Sequence, residues 1–121
     1  MKSVLVVDDS RIVRKVARRI LEGLGFAVDE AENGAEALVF CRARLPDGIL
    51  LDWNMPVMNG IEFLRALRAE FGLGEPRVVF CTTESELESI QRAIEDGADE
   101  YIMKPFDAEI IESKFHQVGL L

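Results

Sequence analysis

The sequence predicts an α/β domain in which helices cover both faces of a parallel β-sheet. Five short apolar or β-branched runs alternate with five segments whose apolar residues recur at helical spacing. Glycine, proline and polar residues separate the segments, as turns require. This alternation implies right-handed crossovers and therefore a doubly wound parallel sheet. The 121 residues have the length of one domain, so we expect a single domain over residues 1–121.

The five predicted strands are short and mostly apolar. Val4–Val7 and Ile49–Leu51 are unbroken apolar runs, which is typical of strands buried on both faces. The other three predicted strands are Phe26–Ala31, which is more polar at its end, Arg77–Cys81 and Glu100–Met103. Turn residues bound each run, which favours strands over short buried helices.

Polar residues with capping preferences precede the predicted helices. Ser10 is expected to cap the first helix, Asn33 the second and Asp107 the last. The third helix is predicted from about Gly60 to Phe71, and Ser85 or a neighbour is expected to cap the fourth.

The apolar residues at helical spacing are expected to face the sheet. In the first helix they are Ile12, Val16, Ala17, Ile20, Leu21 and Leu24. In the fourth and last helices they are Leu87, Ile90, Ala93, Ile94, Ile110, Ile111, Phe115 and Val118.

Composition excludes several classes of partner. The formal net charge of −8 disfavours nucleic acid and anionic lipid. No apolar stretch is long enough to span a bilayer, and the N-terminus runs directly into a strand pattern without a signal peptide. We therefore expect a cytoplasmic protein whose two cysteines, Cys41 and Cys81, are reduced and buried.

Polar residues gather where the predicted strands end. Asp8 and Asp9 follow the first strand, Asp52 the third, Thr82 the fourth and Lys104 the fifth. The carboxyl ends of parallel strands lie on one edge, where open α/β sheets bind their ligands. Two carboxylates about 4 Å apart repel by about 4 kcal/mol at an effective dielectric of about 20. A proton, Lys104 or a divalent cation must offset this repulsion, and oxygen ligands of high charge suit Mg²⁺.

These residue types fit phosphoryl transfer. A metal ion and Lys104 would neutralise charge on the phosphoryl oxygens, and a remaining carboxylate would be the nucleophile. Asp52 is the best candidate because it stands alone at the middle strand, whereas Asp8 and Asp9 are better placed to hold the metal.

The motifs together resemble the receiver domain of two-component response regulators, and more closely the chemotaxis single-domain type. They span the chain in the expected order, and their agreement is more specific than any one of them. They are Val7-Asp8-Asp9-Ser10, Asp52-Trp53-Asn54-Met55-Pro56 with Asn59-Gly60, Thr82-Thr83-Glu84, and Tyr101 with Lys104-Pro105-Phe106.

The resemblance implies a flavodoxin-like (βα)5 fold with strand order 2-1-3-4-5 and a role for each matching residue. Asp52 would be the phosphoacceptor and one of the Mg²⁺ ligands. Asp8, Asp9 and the backbone carbonyl of Asn54 would be the others. Lys104 would pair with the phosphoryl group.

Further roles are implied by the same resemblance. Thr82 would move to a phosphoryl oxygen and Tyr101 would move inward with it. Asn54 and Glu84 would tune self-dephosphorylation, and the Lys104–Pro105 peptide bond would be cis. Transfer to Asp52 would be self-catalysed, so no dedicated enzyme activity is expected.

The implied partners are proteins. The donor would be a sensor histidine kinase or a phosphotransfer domain. An output protein would bind the face formed by the fourth helix, fifth strand and last helix. A monomer without an output domain is expected. Chemotaxis or motility is favoured by Trp53, Asn54 and Glu84, while phosphorelay shuttles and cell-cycle or stress regulators share the same chemistry. Thr83 departs from the small residue common in the family, which leaves the kinetics open.

Other interpretations of the same residues stay open at this stage. Asp8 and Asp9 could cap the first helix, Thr82 and Thr83 the fourth, and Lys104 alone could be a solvated lysine. His116 is expected to face solvent. A flavodoxin-like electron carrier would need a phosphate cradle where Asp8 and Asp9 stand, and a Mg²⁺-dependent phosphatase would lack a general base. A receiver-like binding module without phosphorylation is disfavoured by the complete set of site residues.

Overall fold

The computed structural model describes all 121 residues and contains one parallel sheet of five strands. The strands are β1 (Ser3–Val7), β2 (Ala27–Ala31), β3 (Gly48–Asp52), β4 (Arg77–Thr82) and β5 (Glu100–Met103). Their order across the sheet is β2-β1-β3-β4-β5, and every neighbouring pair is parallel. The predicted fold class and strand order are therefore confirmed.

Helices connect the strands and cover both faces of the sheet. They are α1 (Arg11–Gly23), α2 (Gly34–Ala43), α3 (Gly60–Phe71), α4 (Ile90–Glu95) and α5 (Ala108–Gln117), with a 3₁₀ helix at Glu84–Ser89 before α4. The side chains of Ser10, Asn33 and Asp107 accept hydrogen bonds from the first turns of α1, α2 and α5, as predicted.

Alternate residues of the strands point to two separate cores, as the two-residue period of a strand requires. Leu5 and Val7 of β1 pack on the face covered by α2 and α3, in a cluster that also contains Phe63 and Phe80. Val4 and Val6 lie on the opposite face with Ala17, Leu21, Ile111 and Phe115 of α1 and α5. Because β1 and β3 are buried on both faces, their continuous apolar sequences follow from their position in the sheet.

The fourth helical segment differs from its prediction. The chain forms a 3₁₀ helix after Thr83 and a short α-helix from Ile90, instead of one α-helix capped near Ser85. Glu84–Ser89 contains a single apolar residue, Leu87, and none of its residues is buried, so no core packing favours a regular α-helix there. Smaller differences are that β2 begins at Ala27 and β4 extends to Thr82.

Some apolar residues expected to face the sheet are instead exposed. Ile12 and Val16 of α1 are 76% and 47% exposed. Leu87, Ile94 and Ile110, near or within α4 and α5, are exposed as well. Helical spacing alone does not distinguish a core-facing stripe from a surface that another molecule covers.

The loop between β3 and α3 turns sharply beside the end of β3. Met58 donates its backbone N–H to the Pro56 carbonyl at 2.7 Å, and Val57 between them has a φ of 69°. That conformation is strained for a β-branched residue. Gly60 then donates to the Trp53 carbonyl at 3.0 Å and starts α3.

We predict that Gly60→Ala destabilises the protein by about 2 kcal/mol because it overpacks the loop. A Cβ at Gly60 would lie 2.3 Å from the Asp52 carbonyl oxygen and 2.8 Å from Phe80. The matched control is Gly23→Ala in the last turn of α1, where a Cβ meets no atom within 4 Å. It should raise stability by about 0.5 kcal/mol through helix propensity. Urea unfolding of both variants measures the difference, and equal stability would contradict the packing argument.

Candidate functional site

Four of the five strands deliver the site residues to one edge of the sheet. Asp8 directly follows β1, Asp52 ends β3, Thr82 ends β4 and Lys104 directly follows β5. Asp8 and Asp52 are only 2% and 7% exposed, and Thr82 is fully buried. The structure therefore brings together the polar residues that the sequence placed at the strand ends.

Lys104 joins two carboxylates from different strands. Its Nζ lies 3.0 Å from Asp8 Oδ2 and 2.8 Å from Asp52 Oδ1. Asp8 Oδ1 also accepts the backbone N–H of Ser10 at 2.8 Å, and Asp52 Oδ1 accepts that of Trp53 at 2.9 Å. The lysine is thus part of the site and not a solvated surface cation.

Burial and neighbouring charges shift the pKa values of Asp52 and Lys104. Burial raises the pKa of Asp52, the neighbouring Asp8 raises it further, and the hydrogen bond from Lys104 only partly compensates. Burial alone would lower the pKa of Lys104, but its hydrogen bonds to Asp52 and Asp8 raise it above the ordinary value. Lys104 therefore stays protonated at neutral pH.

Three carboxylates form a group suited to a hard cation. Ligand oxygens of Asp8, Asp9 and Asp52 lie within 4.8 Å of one another, and Asp9 is exposed to solvent. Carboxylate oxygens on one open side fit Mg²⁺, which keeps several of its waters in protein sites. Asn54, whose backbone carbonyl the resemblance adds to this set, lies two residues beyond Asp52 in the β3–α3 loop.

Thr82 and Asn54 are linked by a residue that sequence reasoning did not single out. The Thr82 hydroxyl shares its one hydrogen between two acceptors, the Thr83 carbonyl at 3.2 Å and Glu86 Oε1 at 3.4 Å. The Asn54 side-chain amide donates to Glu86 Oε2. Glu84, which resemblance placed near the site, is exposed at the start of the 3₁₀ helix. The sequence signal that could have identified Glu86 is the Thr-x-x-Glu spacing of a capping box, from Thr83 to Glu86.

Tyr101 and the β5–α5 connection border the site. Tyr101 is half-buried and packs against the core cluster on the α2 and α3 side, with Lys114 Nζ 5.6 Å from its ring centroid. The Lys104–Pro105 peptide bond is cis, and so is Glu75–Pro76, which the sequence did not suggest.

An open apolar groove lies directly beside Lys104. Its walls are Ile12, Val13 and Val16 from α1 and Pro105 and Phe106 from the β5–α5 connection. The exposed side chains of Ile12 and Val16 are therefore part of a surface that adjoins the carboxylates.

Three remaining expectations concern His116, the two cysteines and membrane-spanning helices. His116 is exposed on α5. Cys41 and Cys81 are free and buried, and burial raises the pKa of Cys41 to about 11, which disfavours a reactive thiolate. None of the helices combines the length and apolar character needed to cross a membrane.

A doubly wound sheet with clustered carboxylates and a lysine at its carboxyl edge defines the receiver class of signalling domains. Residues 4–116 match the family model described as the response regulator receiver domain, and the chain belongs to that family.

Known chemotaxis proteins are among the similar sequences and structures. The chemotaxis protein CheY of Pseudomonas aeruginosa is 35% identical over 95% of this chain and 94% of its own length. CheY of Halobacterium salinarum is 41% identical over 87% of this chain and 86% of its own length. The structure of chemotaxis protein CheY4 of Vibrio cholerae superposes with a TM-score of 0.90 at 35% identity over 98% of both chains.

We predict that Asp52→Asn stabilises the metal-free protein at neutral pH. A raised carboxyl pKa means that the folded state binds the proton more tightly than the unfolded chain does. The cost of the ionised carboxylate is absent below the unfolded pKa of about 3.8 and appears as the pH rises through the folded value. The increase in the free energy of unfolding caused by Asp52→Asn should therefore be small in acid and larger at pH 7.

Urea unfolding in the presence of a chelator, repeated across this pH range, measures the effect. Asp29→Asn, on the edge strand β2, serves as the control substitution. A gain that does not grow with pH would contradict the electrostatic explanation.

Proposed function

We propose that Asp52 of this receiver accepts a phosphoryl group from a phosphohistidine and that the modification changes the protein's affinity for other proteins. The observation that carries the proposal is the hydrogen bond between Asp52 and Lys104 beside the carboxylates of Asp8 and Asp9. This arrangement would supply a nucleophile, a cation and ligands for a metal ion in one place.

The transfer requires charge neutralisation more than acid or base groups. A carboxylate oxygen of Asp52 would form a bond to phosphorus while the bond between phosphorus and the donor histidine breaks, with its electron pair remaining on the imidazole nitrogen. Bound Mg²⁺ would neutralise charge on the phosphoryl oxygens. Asp8, Asp9, Asp52 and the carbonyl of Asn54 would hold it, and Lys104 would turn from the carboxylates to the phosphoryl group.

Thr82 and Tyr101 would transmit the modification of Asp52 to the protein surface. Thr82 is bonded to other partners here, so its hydroxyl would have to leave them to reach a phosphoryl oxygen on Asp52. Tyr101 lies on β5 beside Phe80, the second residue before Thr82 on β4. The exposed side chains of Leu87, Ile94 and Ile110 provide an apolar surface for an output protein on the α4–β5–α5 side.

The pathway that we favour is chemotaxis, since relatives at 35% and 41% identity carry the name chemotaxis protein CheY. A phosphorelay shuttle would use the same chemistry. We propose that the protein acts as a monomer in the cytoplasm, and that self-dephosphorylation, tuned by Asn54 and Glu84, ends the signal.

Incubation with acetyl phosphate and Mg²⁺ should add one phosphoryl group to each chain, detected by intact mass. Asp52→Asn should abolish the product and Asp29→Asn should retain it. The adduct should be stable in acid and labile in base, as an acyl phosphate is. Equal labelling of Asp52→Asn would exclude Asp52 as the acceptor, and continuous turnover of an unrelated phosphate ester would favour a phosphatase instead.

We further propose that the apolar groove beside Lys104 contacts the protein that carries the phosphohistidine. Asp52 is buried, so a donor must approach from the open edge of the sheet, where this groove is the adjoining apolar surface. Apolar contacts there would hold a donor helix against α1 while its histidine reaches Asp52.

Ile12→Glu should slow transfer from a phosphorylated histidine phosphotransfer domain at least about tenfold, because a buried charge costs binding energy. Transfer from acetyl phosphate should be unchanged. Val39→Glu is the matched control, since Val39 is an apolar residue on α2 that is 64% exposed, compared with 76% for Ile12. Loss of both reactions would indicate a damaged site, and loss of neither would place the donor elsewhere.

A further inference from the structure

Glu86 is the unusual residue of the segment between β4 and α4. Its neighbours Thr83, Glu84, Ser85, Leu87, Glu88 and Ser89 are all exposed, whereas Glu86 is half-buried. It projects toward Thr82 and Asn54, which come from two different strand ends, 4 and 32 residues away in sequence.

The Glu86 carboxylate collects four hydrogen bonds. Oε1 accepts the backbone N–H of Thr83 at 2.9 Å, the Thr83 hydroxyl at 3.0 Å and the Thr82 hydroxyl at 3.4 Å. Oε2 accepts the side-chain amide of Asn54. The first bond stabilises the start of the 3₁₀ helix, but the bonds to Thr82 and Asn54 reach the residues that surround Asp52.

We propose that Glu86 is a positioning residue that keeps the Thr82 hydroxyl and the Asn54 amide engaged while Asp52 is unmodified. This inference rests on the proposed function, because it defines what the phosphoryl group must displace. The buried Thr82 hydroxyl needs a partner in every state, and Glu86 and the Thr83 carbonyl supply it here.

The distances indicate which hydrogen bond of Glu86 would break when Asp52 is modified. At 3.4 Å the Thr82–Glu86 bond is longer than an ordinary hydroxyl hydrogen bond, whereas the Thr83 N–H bond has a normal length. A phosphoryl oxygen on Asp52 could therefore take the Thr82 hydroxyl without melting the 3₁₀ helix. A ligand that competes with an internal acceptor binds more tightly once that acceptor is removed.

The same contacts account for Thr83, the residue that departs from the family pattern. Its hydroxyl lies 3.0 Å from Glu86 Oε1 and 2.9 Å from the Ser85 hydroxyl. It is therefore engaged in holding Glu86 in place, and its hydroxyl points to this network instead of standing free at the entrance to the site.

The test uses beryllofluoride with Mg²⁺ as a phosphoryl analogue that binds Asp52, followed by the fluorescence of Trp53, the single tryptophan, which packs on Phe80. Glu86→Ala should lower the analogue concentration at half-saturation about tenfold. Glu88→Ala, an exposed glutamate on the same 3₁₀ helix, should leave it unchanged. Glu86→Gln keeps the Oε1 acceptor for the Thr83 N–H and the Thr82 hydroxyl and removes the charge, so it should remain folded and bind the analogue more nearly as the wild type does. If Glu86→Gln bound as tightly as Glu86→Ala, charge repulsion would explain the effect and the inference would be overturned.

A double-mutant cycle with Thr82→Ala separates positioning from simple charge repulsion. If Glu86 acts through Thr82, its replacement should have little effect in the Thr82→Ala background. An equal effect in both backgrounds, or equal half-saturation for Glu86→Ala and Glu88→Ala, would overturn the inference. Failure of the wild type to bind the analogue would instead contradict the proposed function.

Discussion

The interaction on which the rest of the site depends is the bridge that Lys104 makes between Asp8 and Asp52. It connects the ends of β1, β3 and β5 through bonds of 3.0 and 2.8 Å in a largely buried setting. Lys104 alone cannot balance the charge of the three carboxylates. Asp8, Asp9 and Asp52 carry three negative charges when ionised, and one positive charge leaves two of them unbalanced. That remainder equals the charge of one divalent cation. The fold therefore keeps an acidic cluster that lowers its stability and whose remaining charge one divalent cation would balance.

Strand register explains why these residues meet. Val7 of β1 pairs with Leu51 of β3, so the next residues, Asp8 and Asp52, lie side by side. Asp52 pairs with Cys81, which places Thr82 one residue further along β4, and Thr82 in turn pairs with Met103, immediately before Lys104. From β3 to β5 each site residue lies one residue further along its strand than the one before, so this part of the edge slopes. Asp8 and Asp52 lie at the low end of this slope, and Thr82 and Lys104 lie further along, so a small group bound at Asp52 would be within reach of both.

The sequence was sufficient for the fold and for the residues at the strand ends, because both depend on local patterns. Five apolar runs that end in polar residues specify a parallel sheet with its chemistry on one edge. Glu86 was not predictable in the same way, since its contact with Asn54 spans 32 residues and depends on how two loops approach each other. The exposure of Ile12 and Val16 was missed for another reason: they share helical spacing with the buried Ala17 and Leu21 but line the groove beside Pro105 and Phe106, and periodicity does not distinguish a groove wall from a core face.

The arrangement also indicates how a change at a buried carboxylate could reach the surface without refolding the sheet. The backbone N–H of Lys104 donates to the Thr82 carbonyl at 2.8 Å, so the two residues that would respond to a phosphoryl group are held on one rigid ladder. Their side chains, in contrast, have alternatives: Lys104 has two carboxylate partners and Thr82 has a long bond to Glu86. In the proposed switch, movement would therefore involve side chains and the 3₁₀ helix, none of whose residues is buried. A segment with so little core packing can shift at low cost, and it connects the end of β4, which carries Thr82, to α4, which carries the exposed Ile94. A regular, well-packed helix at Glu84–Ser89 would make the same shift more costly, which gives the departure from the predicted helix a physical role in the proposed switch.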